Sequence, residues 1–329
     1  MVEPARNRLS KDDARARRGD AKHGRRHNLE NRMNDLKIGF AGLGVMGEPM
    51  CRNILTKSGA PVQILDLNPA PVERLVALGA VPVESIAEMA KTADIIFLSL
   101  PGGLQVEQVI SGAGGILENA NPGLTVVDTS TLSVGLTRRL AAALSERDIA
   151  FADAPVARTR QAAEDGTLLT MVGSDLDVFN RIRPFLSYTS SEVLHCGPIG
   201  CGQLSKVLNN MILFENIVAL SEALAVCKAA GMDPRRLFET LAKGSADSFA
   251  LRNHGMKALV PQDFPENTFP INYAMKDMSC ALELADELGI ELQGAKLAWS
   301  LMERARESGN GARYFPILSQ EISSSEPAS

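Results

Sequence analysis

A glycine turn and a lysine–asparagine pair one helical turn apart are the parts of this sequence with chemistry in them. Gly42-Leu43-Gly44-Val45-Met46-Gly47 follows the apolar run Ile38 to Ala41 and opens a helical pattern. In that setting the first glycine permits a tight turn, the second lets backbone N–H groups approach a pyrophosphate, and the third allows close helix packing. The helix N-terminus adds partial positive charge, so a dinucleotide is the expected ligand. Asp66 closes the next apolar run, where a carboxylate accepts hydrogen bonds from the adenosine ribose hydroxyls and repels a 2'-phosphate. The chain continues Leu67-Asn68-Pro69, with no arginine to receive that phosphate, so NAD is expected ahead of NADP. Leu100 and Pro101, after the run beginning at Ile95, are expected on the cofactor side as well.

The second arrangement lies after Gly202. Leu204, Val207, Leu208 and Met211 follow an i, i+3, i+4, i+7 stripe, and Lys206 and Asn210 lie off it, able to face one cleft. A hydride leaving a hydroxyl-bearing carbon needs a group to take the hydroxyl proton. A lysine whose pKa is lowered by burial can do this, and can return the proton in reverse. Asn210 can orient the hydroxyl. From the residues alone, Lys206 reads more readily as a solvated charge at a helix start. Ser130 and Thr131 follow the run Leu124 to Val127, at the carboxyl edge of a sheet, where hydroxyls suit a carboxylate. An ST turn capping the following helix is the other reading of that pair.

These residues need a scaffold. Apolar runs at Ile38 to Ala41, Val62 to Leu65, Ile95 to Leu100, Leu124 to Val127 and Leu168 to Val172 alternate with helical patterns, as expected of parallel strands covered on both faces. Beyond about Cys196 the strand signals stop, Gly231 offers a helix C-cap, and Asp233-Pro234 restarts a helix. The expected fold class is α/β: a Rossmann-type doubly wound parallel sheet over residues 34–196, followed by an all-α C-terminal domain over 197–329. Residues 1–33 carry ten Lys/Arg against five Asp/Glu and few large apolar side chains. That composition predicts a disordered basic extension, dispensable for activity, with Met33 as an alternative start.

Composition narrows the function classes. The 329 residues, 45% hydrophobic and 22% charged, suffice for two buried cores. No uninterrupted apolar run approaches the ~18 residues of a bilayer span, so no membrane partner is expected. Residues beyond 33 hold 24 Lys/Arg against 34 Asp/Glu, and an acidic body argues against a nucleic-acid groove. Five cysteines without a CxxC pair read as free thiols in a reducing, cytoplasmic setting. No His, Cys and carboxylate cluster has metal-ligand spacing, so no metal is expected. The apolar stretch Met211 to Leu224 exceeds what one small domain covers and predicts a homodimer or homotetramer.

Five segments together resemble the β-hydroxyacid dehydrogenase family over nearly everything after Met33: Ile38 to Gly47, Asp128-Thr129-Ser130-Thr131, Asp153-Ala154-Pro155-Val156, Gly202 through Lys206 to Asn209-Asn210, and Lys276-Asp277. The resemblance implies that Lys206 is the acid/base and Asn210 its partner. It places Ser130, Thr131 and Asn209 against substrate, and Ser130 and Lys276 near the cofactor. Lys276 and Asp277 otherwise read as a surface pair. The family's substrate loop continues Ser-Gly-Gly, whereas here Ala157-Arg158-Thr159-Arg160 follows. An Arg-Thr variant is similar to that of sulfolactaldehyde reductases, but Leu213 stands where those place a serine. Arg158 is therefore expected to clamp a substrate anion, or else to sit on a mobile surface loop. The closing turn Gly309-Asn310-Gly311-Ala312-Arg313 departs too, continuing Tyr314-Phe315-Pro316.

The expected activity is NAD-dependent interconversion of a short 3-hydroxy acid and its semialdehyde, with a small anionic hydroxy or aldehyde acid as the partner. A reductase of sulfolactaldehyde or succinic semialdehyde is the enzyme alternative, and a non-catalytic dinucleotide-binding scaffold the alternative of another class.

Overall fold

The computed structural model describes residues 35–266 and 268–323. The expectations for residues 1–33 lie outside the described residues. Strands β1 (Ile38–Ala41), β2 (Val62–Leu65), β3 (Val81–Pro82), β4 (Ile95–Leu98), β5 (Thr125–Asp128) and β6 (Ala150–Asp153) pair in the order β3-β2-β1-β4-β5-β6, all parallel. The order reverses between β1 and β4, and the crevice above that reversal is where open α/β sheets bind ligands. Helices α1 (Gly47–Ser58), α2 (Pro69–Val76), α3 (Ile86–Thr92), α4 (Gly103–Ser111), α5 (Ile116–Asn119) and α6 (Val134–Ser145) form the crossovers. The sheet buries a separate core on each face, one around Phe40, Ile54, Ile64 and Phe185, the other around Ile96, Leu98, Val106 and Leu140.

The far edge of the sheet differs from expectation. Strand β7 (Val156–Ala157) leads through α7 (Arg160–Asp165) into β8 (Leu168–Gly173), and β8 runs antiparallel to both β6 and β7. A connection this short cannot make the crossover that parallel pairing requires. The chain then passes through α8 (Leu176–Leu186) to β9 (Ser190–Gly197), which pairs parallel with β8. Strand β9 is mostly half-exposed and lacks the apolar run that marks the central strands.

The helical domain opens with α9 (Cys201–Ala229), followed by α10 (Pro234–Leu241), a π-helical segment at Ala250–Leu259, α11 (Ile271–Glu287) and α12 (Gln293–Ala305). The Asp233 carboxylate accepts the N–H groups of Arg235 and Arg236, so the expected restart is made by an N-cap. Helix α9 is long and apolar enough, by length and composition alone, to cross a bilayer. Here its Phe214, Ile217 and Leu224 form the axis of a third core with Phe238, Met278 and Phe315. The expected stripe on its first turns is only partly internal: Val207 is fully buried, while Leu208 lies exposed.

Candidate active site

The glycine turn joins β1 to α1 with the geometry its spacing predicts. A Cβ on Gly42 would meet the Ser99 carbonyl oxygen at 2.3 Å, and one on Gly47 would meet the Gly42 carbonyl oxygen at 2.0 Å. Gly42 also holds φ at +95°, a left-handed value that glycine adopts without strain. A Cβ on Gly44 would meet nothing within 4 Å, so this glycine leaves open space rather than serving internal packing. Val45 is exposed, Leu43 is buried, and no side chain caps the first turn of α1 at Met46. Uncapped amides beside an open glycine fit a dinucleotide pyrophosphate. The Asp66 carboxylate accepts from Leu43 N–H at 2.5 Å and from Asn68 N–H at 2.7 Å, which holds the acid over this turn at the end of β2.

The loops after β4 and β5 lie next to the turn and are stapled to each other. Leu100 N–H donates to Ser130 Oγ at 2.9 Å. From the helical domain, Lys276 Nζ donates to the Thr131 carbonyl at 3.2 Å and to the Pro101 carbonyl at 3.5 Å. The same ammonium pairs with Asp277 at 3.0 Å, and Asp277 is buried, so this is no solvated surface pair.

Two residues that sequence reasoning left out hold α9 against the sheet. The Asp153 carboxylate at the end of β6 accepts from Gly200 N–H and Gln203 N–H, each at 2.7 Å, and so caps α9 from another element. Gln203, fully buried, accepts Leu132 N–H at 3.1 Å and donates to the Ser130 carbonyl at 2.7 Å. Asp153 was visible in the sequence as part of a motif, but nothing in that motif says which amides it receives. Gln203 carried no signal beyond its position three residues before Lys206.

Lys206 follows Gln203 by one turn of α9, and the charged groups nearest it are Asp277 and Lys276 of α11. Its side chain is half-buried, and burial lowers its pKa below the ordinary lysine value; Asp277 opposes that shift and Lys276 adds to it. Asn210 is buried and donates to Asp277 at 2.7 Å, while its oxygen accepts from the exposed Asn209 at 3.0 Å. Both ends of its amide are thus engaged within the protein. Asn210 links Asn209 to Asp277, using one of its two N–H groups and one lone pair of its oxygen.

The altered loop also needs correcting. Arg158 takes φ +92°, and its guanidinium bonds the Thr167 carbonyl at 2.6 Å, Ser191 Oγ at 2.8 Å and Glu192 at 2.7 Å. The expected anion clamp is therefore tied down at the start of β9, because a carboxylate of this chain already neutralises it. Ala157 is buried within β7, and the Thr159 hydroxyl caps α7 by accepting Ala162 N–H at 3.3 Å. At the closing turn, Gly311 and Arg313 carbonyls receive the first N–H groups of α11, and the Tyr314 hydroxyl bonds His254 Nδ1.

Comparison with known proteins agrees with this layout. Residues 37–197 match the NAD binding domain of 6-phosphogluconate dehydrogenase, and residues 200–316 match the domain described as NAD-binding of NADP-dependent 3-hydroxyisobutyrate dehydrogenase. A 2-(hydroxymethyl)glutarate dehydrogenase of Eubacterium barkeri is 37% identical over 276 residues, 84% of this chain and 91% of that one. The 2-hydroxy-3-oxopropionate reductase of Escherichia coli (strain K12) is 35% identical over 287 residues, 87% of this chain and 97% of its own. Among solved structures, a Mycobacterium tuberculosis 3-hydroxyisobutyrate dehydrogenase with L-serine superposes with a TM-score of 0.80 at 27% identity, covering 87% of this chain and 99% of that one.

Proposed function

We propose, from the premise that the chain belongs to the β-hydroxyacid dehydrogenase family and is an oxidoreductase of CH–OH groups, that it interconverts a short 3-hydroxy acid and its semialdehyde. The observation that carries the reading is Lys206, held half-buried with a lowered pKa near Asp277 and Lys276, on a helix whose N-terminus is bound to the sheet by Asp153.

The cofactor is NAD, which takes or gives the hydride when bound in the crevice between β1 and β4. Asp66 supports preference for NAD over NADP, since a carboxylate at the end of β2 would receive the adenosine ribose hydroxyls and repel a 2'-phosphate. In the oxidation direction Lys206 must be neutral to accept the hydroxyl proton, and in reduction it must be charged to donate one. Burial brings the neutral form within reach, because a desolvated ammonium is costly. Lys276, bonded to the carbonyls of Pro101 and Thr131, closes the helical domain onto the sheet edge. Ser130 and Thr131 bound the substrate's carboxylate end, with Asn209 the exposed polar group of the helix beside them.

A spectrophotometric NADH screen tests this reading with 2-hydroxy-3-oxopropionate, succinic semialdehyde, sulfolactaldehyde and the semialdehyde of 3-hydroxyisobutyrate. Turnover of at least one of them, lost on Lys206→Ala, is expected. Absence of NADH oxidation with all four would sink it in favour of a non-catalytic scaffold. The partner of α9 is proposed to be a second copy, as a homodimer or homotetramer, since Leu208, Ile212 and Val226 stand exposed along one side of that helix. Sedimentation equilibrium giving a monomer would remove that part alone.

A further inference from the structure

Asp128 has no part in the proton transfer just described, yet it is a fully enclosed acid near the site. It ends β5 with no exposed surface. One carboxyl oxygen accepts Ser130 N–H at 3.0 Å, and the buried Oδ2 has no hydrogen-bond partner among the described residues. Ser130 Oγ is the atom that accepts Leu100 N–H, so the link between the two loops hangs on the group that holds Ser130.

We propose that Asp128 is a positioning residue whose proton sets how firmly the Ser130–Thr131 loop is held against Leu100 and Pro101. This rests on the reading above that these loops border the substrate and the reactive end of the cofactor. Ionised, the carboxylate can only accept, so it takes Ser130 N–H in a charge-assisted bond and fixes the backbone that carries the Ser130 oxygen to Leu100 N–H. Protonated, it loses the charge assistance that makes such bonds about twice as strong as neutral ones. The charged groups facing it are Asp153 on β6, which favours the protonated form, and Lys276 on α11, which favours the ionised form. From α9 the contact with this loop is the uncharged Gln203, and β4 presents Leu98 beside it. Burial pushes the Asp128 pKa up to about 7, with hydrogen bonding from Ser130 pulling the other way, so both forms are populated near neutrality.

Infrared titration of the free enzyme, with Asp128→Asn as the assignment control, tests the proton directly. A protonated-carboxyl band should fade as pH rises through 7 and be absent from the variant. Its absence from the wild type, or its persistence in the variant, overturns the proposal. Kinetics with any accepted hydroxy acid test the consequence: KM should rise about tenfold as pH falls through 7, with kcat changing far less. Asp128→Asn should show the high KM at every pH, as should Ser130→Ala, and the double variant should go no further. A wild-type pH step that survives in Asp128→Asn, or two effects that add, counts against it. If Asp128→Asn does not fold, the wild-type band and the Ser130→Ala profile decide. Should no hydroxy acid turn over, the functional reading falls while the infrared result still judges Asp128.

Discussion

The glycine turn after β1 and the seam between the sheet edge and α9 are built in opposite ways. The turn is mostly local: within about six residues its backbone supplies the left-handed φ at Gly42 and the Gly47–Gly42 approach, while the Ser99 carbonyl and the Asp66 carboxylate come from the ends of the two neighbouring strands. The seam is assembled from distant segments, with the side chains of Asp153, Gln203, Asn210, Lys276 and Asp277 reaching each other or the backbone of the neighbouring loops. A locally built site is exposed to changes in backbone space, whereas an assembled one is exposed to loss of any partner in a network.

The largest effect should come from the seam. Lys206→Ala is expected to lower kcat by about 10²- to 10⁴-fold, the usual worth of a positioned acid/base, with far less change in cofactor binding. In the intact enzyme, oxidation should accelerate as pH rises through a value below the ordinary lysine pKa, while reduction slows, because the two directions need opposite forms of Lys206. Opposite trends that centre on an unperturbed lysine value would show that burial does not tune the base.

Next come two glycines of the turn, which should separate by kind of damage. Gly47→Ala places a Cβ 2.0 Å from a backbone oxygen, and overpacking of this sort costs roughly 1–3 kcal/mol in stability, read as a lower Tm. Gly44→Ala meets no protein atom, so Tm should hold while the KM for NAD rises. An unchanged KM would mean that the open space is not the cofactor's.

Asp153→Ala should cost about 1–2 kcal/mol by leaving the α9 amides uncapped, and should lower kcat as well because Lys206 rides on that helix. A stability loss with normal kcat would confine Asp153 to structure. The smallest effect is assigned to Glu192→Gln, since exposed ion pairs contribute roughly 0–1 kcal/mol. If Arg158 braces the loop, KM should rise slightly. A lower KM for the anionic substrate would restore the clamp.

Legibility in the sequence followed the same division. The central strands announce themselves because both faces are covered, which makes Ile38 to Ala41 and Ile95 to Leu98 apolar at successive positions. Strand β9, mostly half-exposed, gives no such run, and β6 reads only as Ala-Phe-Ala-Asp. Asn210 was legible as a site residue but its bond to Asp277 was not, because residues 67 apart in sequence share no local pattern.

By itself the sequence determined the dinucleotide turn and the alternation of central strands with helices, since glycine spacing and strand periodicity are written in neighbouring residues. Tertiary structure alone decided that Lys276 bridges two loops, that Gln203 and Asp153 hold the helix of Lys206, and that Arg158 is spent on Glu192. Each of those outcomes depends on which distant donor reaches which acceptor, and hydrogen bonding across a fold leaves no periodic trace in the chain.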